Sequence, residues 1–233
     1  MSIIHRNIEQ GSAEWFAVRI GKPTASMAHK IVTPTGKLSE QRHAYMYRLI
    51  AERLLLESMD DPLHIEHIER GKAYEPYAAQ QFAFLENCEL ETVGFVESDD
   101  GLLGCSPDRL IKDRNEAVEI KCPAPWTQIG RLVDGIGADY KPQVQMQLLV
   151  GEFDRIHFYS YQPRMPPFHI ITLRDKGYQA ILKQHLYDFA DELEAKTEKA
   201  RALGAYQPSP HVVTPHERTA PGREPDAINI LPE

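Results

Sequence analysis

The segment Val118-Glu119-Ile120-Lys121-Cys122-Pro123 constrains this chain more than any other. Its apolar residues read as a short strand over Ala117–Lys121. Pro123 and Pro125 stop it, because proline has no N–H for a ladder. Residues two apart on a strand point to the same side, so Glu119 and Lys121 share one face. A turn at Asn115 joins this strand to Leu102–Ser106 and Leu110–Ile111, strand-like runs that bracket Pro107-Asp108. The chain therefore has to build a sheet in which Asp108 comes alongside Glu119 and Lys121 from a neighbouring strand.

Around that segment the periodicity changes. Ser12 is placed to cap a helix carrying Trp15 and Arg19, which Gly21 and Pro23 end. Thr24 reads as the N-cap of a second short helix through Ile31. Met46, Leu49, Ile50 and Leu54 form the apolar face of a helix from Ser39 to about Ser58. Ile65–Asn87 is helical with a restart expected near Tyr74, which puts Pro76 in a first turn. Glu75 then lies on a stripe with Ala78, Phe82 and Leu85, and an inward carboxylate there asks for an explanation. Thr92–Glu97 alternates as a strand, and Asp99-Asp100-Gly101 is a hairpin turn. Helices are expected over Trp126–Val133 and from about Asp139 to Val150. Strands follow at Asp154–Tyr161 and Phe168–Leu173. A long helix runs from about Asp175 to Leu203, with Tyr178, Leu182, His185, Phe189 and Leu193 on one face. Helices flanking a mixed central β-sheet make an α/β core. The expected division is one domain over 1–205 and a proline-rich tail over 206–233.

Composition excludes some classes. The chain has 233 residues, 42% hydrophobic and 26% charged, with a formal net charge of −8. A protein that coats DNA with a uniformly basic surface does not carry that charge. Acidic residues in a metal site, with basic residues lining one groove, are compatible with it. The 3 cysteines, Cys88, Cys105 and Cys122, form no CxxC pair, so a zinc site or disulfide framework is not expected. No apolar run has the length of a membrane span. Met1–Arg6 has no apolar signal core. The expectation is a soluble, cytoplasmic protein that takes no part in a membrane.

Carboxylates converging from adjacent strands make a hard oxygen site suited to Mg²⁺. The Ile120 carbonyl, between the two side chains, is a further candidate ligand. Such a site serves phosphodiester hydrolysis, with Lys121 orienting the attacking water or offsetting developing negative charge. The pattern by itself is loose. Asp108 capping a turn, with Glu119 and Lys121 on a solvated strand edge, fits it equally well.

Four segments carry a more specific signal. They are Trp15-x-x-x-Arg19-x-Gly21-x-x-Thr24-Ala25-Ser26; Gly71-Lys72-x-Tyr74-Glu75; Cys105-Ser106-Pro107-Asp108 with Glu119-Ile120-Lys121-Cys122-Pro123; and Gln143-Val144-Gln145. In their order and spacing the chain resembles the phage lambda exonuclease family. These are also called YqaJ-type viral recombinases or alkaline exonucleases, within the PD-(D/E)xK nuclease superfamily. The resemblance implies a restriction-endonuclease-like core and Mg²⁺-dependent 5′→3′ digestion of one strand of double-stranded DNA from an end, with Mn²⁺ as a substitute ion. It implies that Asp108, Glu119 and the Ile120 carbonyl hold metal and that Lys121 is the catalytic lysine. Glu75 and Gln143 match further active-site positions, and Arg19 and Ser26 match a pocket for the 5′-phosphate. A homotrimeric ring around DNA, a single-strand annealing partner and a role in phage-type recombination come with it. Pro76, directly after Glu75, departs from a regular helix at that motif.

Rival readings are an endonuclease on the same core and a non-catalytic DNA-binding assembly protein. The full set of carboxylates and lysine speaks against the second, and the Arg19/Ser26 pair favours an end-dependent enzyme. Trp15 is read first as a packing anchor and second as a DNA contact. Gln147 shares the side of Gln143 one turn on. His64 and His67 have ligand-like spacing without a partner cluster. Cys105 and Cys122 are expected to be packing residues.

Overall fold

The computed structural model describes residues 1–59 and 65–218. At its centre is a five-stranded sheet of order β2-β5-β6-β7-β8. Its strands are β2 (Leu90–Glu91), β5 (Arg109–Ile111), β6 (Glu116–Lys121), β7 (Arg155–Ser160) and β8 (Phe168–Thr172). The sheet is mixed, as the sequence implies. The pair β6–β7 is parallel, with Glu119 beside Phe158 and Lys121 beside Ser160, and the other pairs are antiparallel. A smaller sheet joins β1 (Ile3–His5), β3 (Phe95–Glu97) and β4 (Gly104–Cys105) in the order β1-β3-β4.

Alternation along β6 sends its side chains into two cores. Val118 and Ile120, with Tyr159 of β7, pack against Ala78 and Phe82 of α3 (Ile65–Leu85). Ala117, Ile156 and Phe158 belong to the larger core on the other side. That core takes Met46 and Leu49 from α2 (Arg42–Leu55), Val144 and Leu148 from α5 (Lys141–Val150), and Leu182, Leu186 and Phe189 from α6 (Lys176–Leu203). Two short helices complete the frame: α1 (Ala13–Arg19), and α4 (Pro125–Asp134) directly after β6. Ser12 caps α1 by accepting from the Trp15 N–H at 3.2 Å. Asp175 caps α6 by accepting from the Tyr178 N–H at 3.0 Å.

Several elements differ from the sequence expectation. The helix after residue 64 does not restart near Tyr74; α3 runs through Pro76, which lies inside it. Proline there has no N–H to give the carbonyl four residues back, and the burial of Ala78 and Phe82 against the sheet offsets that loss. Leu85 leaves the expected stripe and is 55% exposed. The strand expected over Thr92–Glu97 is shorter and confined to β3, while a separate short strand, β2, precedes it in the five-stranded sheet. Gly94 stands just before β3, where a Cβ would meet the Ile8 carbonyl oxygen at 2.2 Å. Residues Ala25–Lys30 form a 3-10 turn rather than an α-helix. On α6 the core position falls to Leu186 rather than His185, which is half-buried.

Beyond Leu203 the proline-rich segment lies along the end of α2. The Ser209 N–H donates to the Leu55 carbonyl at 2.9 Å, and the Val213 N–H to that of Leu56 at 3.0 Å. A short helix, α7 (Pro215–Arg218), follows. His64 lies outside the described residues, as does the side chain of His67. No described helix is long and apolar enough to cross a membrane.

Candidate active site

The antiparallel pairing of β5 and β6 sets Arg109 opposite Val118. Asp108, one residue earlier, is thereby delivered to the end of β6. Its backbone N–H donates to the Val118 carbonyl at 3.1 Å, and its Oδ2 accepts the Ile120 N–H at 2.5 Å. Glu119 is 2% exposed, and Lys121 Nζ donates to its Oε1. The structure thus brings Asp108, Glu119, Ile120 and Lys121 together, as the sequence pattern requires.

α5 closes over this group from the core side. Gln143 Nε2 donates to Glu119 Oε1 at 2.6 Å. Gln147 Nε2 donates to Glu119 Oε2 at 2.5 Å. Gln145 points away and accepts from the Asp175 N–H at 3.0 Å, as the helical period demands. From α3, Glu75 accepts from Arg109 Nη1 at 2.7 Å. Arg109 is not among the residues expected from sequence, although its place next to Asp108 was the available signal.

The electrostatics of the group are unbalanced. Desolvation first, then the charges of Glu119 and Glu75, push the Asp108 carboxyl well above the usual carboxylate range; Lys121 and the Ile120 N–H act the other way. Burial alone would lower Lys121, yet Glu119 and Asp108 hold its ammonium above the ordinary lysine value. The site therefore keeps a lysine cation and still disfavours a second carboxylate charge. Hard oxygen donors with surplus negative charge fit a divalent cation such as Mg²⁺. Among the described residues no three His, Cys, Asp or Glu side chains converge on one point. A further protein ligand would be a neutral oxygen, and the sequence pattern offers the Ile120 carbonyl, between Glu119 and Lys121 along the chain.

Near the start of the chain, Arg19 lies over Trp15, its guanidinium carbon 3.9 Å from the ring centroid. Arg19 Nη1 donates to Ser106 Oγ at 3.1 Å. Trp15 Nε1 donates to the Gly94 carbonyl at 2.9 Å and lies 3.2 Å from Ser106 Oγ. Trp15 is half-buried, and these contacts tie it to the Gly94 backbone and to Ser106. Ser106 ties Arg19 to the Pro107-Asp108 turn, a link missed in the sequence although Ser106 stands in the same motif. Ser26 is exposed, with its hydroxyl 3.3 Å from that of Thr24. Cys105 is fully buried and its thiol is pushed up, chiefly by desolvation, which suits a packing residue.

Paired carboxylates from adjacent antiparallel strands, with a lysine two residues past the second, on a mixed α/β sheet, define the PD-(D/E)xK nuclease class. Comparison with known proteins narrows this. The YqaJ-like viral recombinase domain matches residues 14–154, and the chain belongs to that family. An alkaline exonuclease (LHK-Exo) from Laribacter hongkongensis is 30% identical, with a TM-score of 0.73 over 83% of this chain and 100% of that one. The same values hold for LHK-Exo in complex with dAMP. A phage-related exonuclease from Haemophilus somnus 129PT shares the fold at 14% identity, with a TM-score of 0.58 over 75% of this chain and 96% of that one. The curated proteins contain no match.

Proposed function

We propose that this chain is a Mg²⁺-dependent 5′→3′ exonuclease that digests one strand of double-stranded DNA from an end, with Mn²⁺ as an alternative ion. The observation that carries the reading is the convergence of Asp108, Glu119 and Lys121 at the end of β6. Family membership supplies the context, and the related LHK-Exo has been solved with dAMP, a mononucleotide.

In this reading Asp108, Glu119 and the Ile120 carbonyl hold the ion. Bound there, it supplies Lewis-acid stabilisation for phosphoryl transfer. Lys121 orients the attacking water and offsets charge growing on the phosphoryl oxygens. Water oxygen bonds to phosphorus, the bond to the 3′ oxygen breaks, and that oxygen takes up a proton. The phosphate stays on the 5′ carbon of the next nucleotide, so every cycle regenerates the end that Arg19 and Ser26 would bind. Gln143 holds Glu119, and Glu75 with Arg109 flanks Asp108.

Assembly as a homotrimeric ring, a single-strand annealing protein as partner, and a cytoplasmic role in phage-type recombination complete the proposal. They rest on the family. A native mass well away from three chains would remove the ring.

The test is digestion of linear duplexes with a 5′-phosphate on one strand only, with Mg²⁺ and with EDTA, beside a covalently closed circle. Metal-dependent loss of the phosphorylated strand with an intact circle is expected. A cut circle would replace this reading with an endonuclease, and no cleavage in any lane with a binding protein.

A further inference from the structure

We propose that Gln147 is a positioning residue for Glu119: together with Gln143 it fixes the carboxylate in the orientation that cation binding needs. The inference rests on the metal-dependent reading above. The two amides stand one helical turn apart on α5 and reach different oxygens of the same carboxylate, at 2.6 and 2.5 Å. A carboxylate held at both oxygens cannot rotate about its last bond. Both donors are neutral, so they orient Glu119 without cancelling the charge that attracts a cation.

Gln147 is 1% exposed, and its own Oε1 is buried without a hydrogen-bond partner. A buried acceptor without a donor costs stability. Turning the amide over would set that oxygen against Glu119 Oε2, so the carboxylate dictates the orientation. A residue kept for packing alone would be apolar here, as neighbouring Met146 and Leu148 are. The opposite side of α5 is anchored as well. Gln145 Nε2 donates to the Leu173 carbonyl at 2.8 Å, and Gln179 Nε2 to the Gln145 carbonyl at 3.0 Å. The helix therefore presents Gln143 and Gln147 at a fixed height above β6, which is what a group supporting a metal ligand requires.

The experiment compares wild type with Gln147→Met, which keeps length and removes both the donor and the orphaned oxygen. Mn²⁺ binding is measured by calorimetry without DNA, and thermal melting on the metal-free protein. We expect Mn²⁺ affinity to fall on the order of 10- to 100-fold, while in the metal-free protein the loss of the donor to Glu119 Oε2 and the removal of the orphaned Oε1 act on the melting temperature in opposite directions. Excess Mg²⁺ should then recover much of the turnover, a shift in metal requirement more than in kcat. Should the Met variant not fold, Gln147→Asn, which withdraws the amide by one carbon, is expected to show the same loss. Affinity within about twofold of wild type in a folded variant overturns the role of Gln147 and leaves the metal reading standing. Wild type that binds no Mn²⁺ overturns the metal reading and this role with it.

Discussion

Arg19 and Trp15 form one unit: the guanidinium lies over the indole at 3.9 Å, and both side chains meet Ser106. The indole thus sets where the cation stands, four residues along α1. A cation–π contact of this kind is worth roughly 0.5–1 kcal/mol, or about two- to fivefold. Trp15→Leu is therefore expected to lower the ratio of cleavage rates on 5′-phosphate and 5′-hydroxyl ends by about that factor. Arg19→Ala, which removes the charge-assisted donors themselves, should lower it by about tenfold or more. An unchanged ratio in both variants would take Arg19 out of end recognition.

The strands that carry the site were legible because their signals are local. Alternation places Glu119 and Lys121 on one side, and the turn at Asn115 returns β5 to β6. The cap at Ser12 was equally plain. What escaped was set by distant partners. Pro76 argued for a helix restart, but packing of Ala78 and Phe82 against β6 and β7 carries α3 through it. Thr92–Glu97 reads as one strand, but pairing with β1 and β4 takes in only Phe95–Glu97, just past the close approach of Ile8 to Gly94. Arg109 and Ser106 sat beside recognised residues, yet their partners Glu75 and Arg19 lie 34 and 87 positions away.

Lys121→Ala should abolish most cleavage while Mn²⁺ and DNA still bind. The lysine touches Glu119 and is lifted by Glu119 and Asp108, so it is a full cation at any working pH. Losing one group that stabilises transition-state charge costs about 10²- to 10³-fold in kcat. Single-turnover rates on a phosphorylated duplex, beside filter-binding affinity, separate the two effects. Near-wild-type rates would end the catalytic role.

Phe82 is the stability test for the side of the sheet that carries Glu75. It is fully buried on α3, and its ring meets Tyr159, His157 and His169 edge-on at 5.2 to 5.4 Å. Phe82→Ala is expected to cost about 3–5 kcal/mol, the range for deleting a buried phenyl ring. Denaturant unfolding measures it directly. A loss under about 1 kcal/mol would mean that α3 is not held by this core.

Cation binding and pH should be coupled through Asp108. Its carboxyl is held well above the usual range by desolvation, then by the charges of Glu119 and Glu75. The folded protein thus keeps a proton that the unfolded chain has released. Its stability without cation falls as pH rises from the unfolded value of about 3.9 through the raised folded value. A divalent cation takes the place of that proton and reverses the penalty, so stabilisation by Mg²⁺ should grow with pH across this window and level off above it. Thermal melting of metal-free protein, with and without saturating Mg²⁺, follows this over a pH series. In Asp108→Asn the metal-free protein should lose that slope and the Mg²⁺ shift should shrink. A Mg²⁺ shift in wild type that stays flat across the series would mean that the cation does not displace a proton from Asp108.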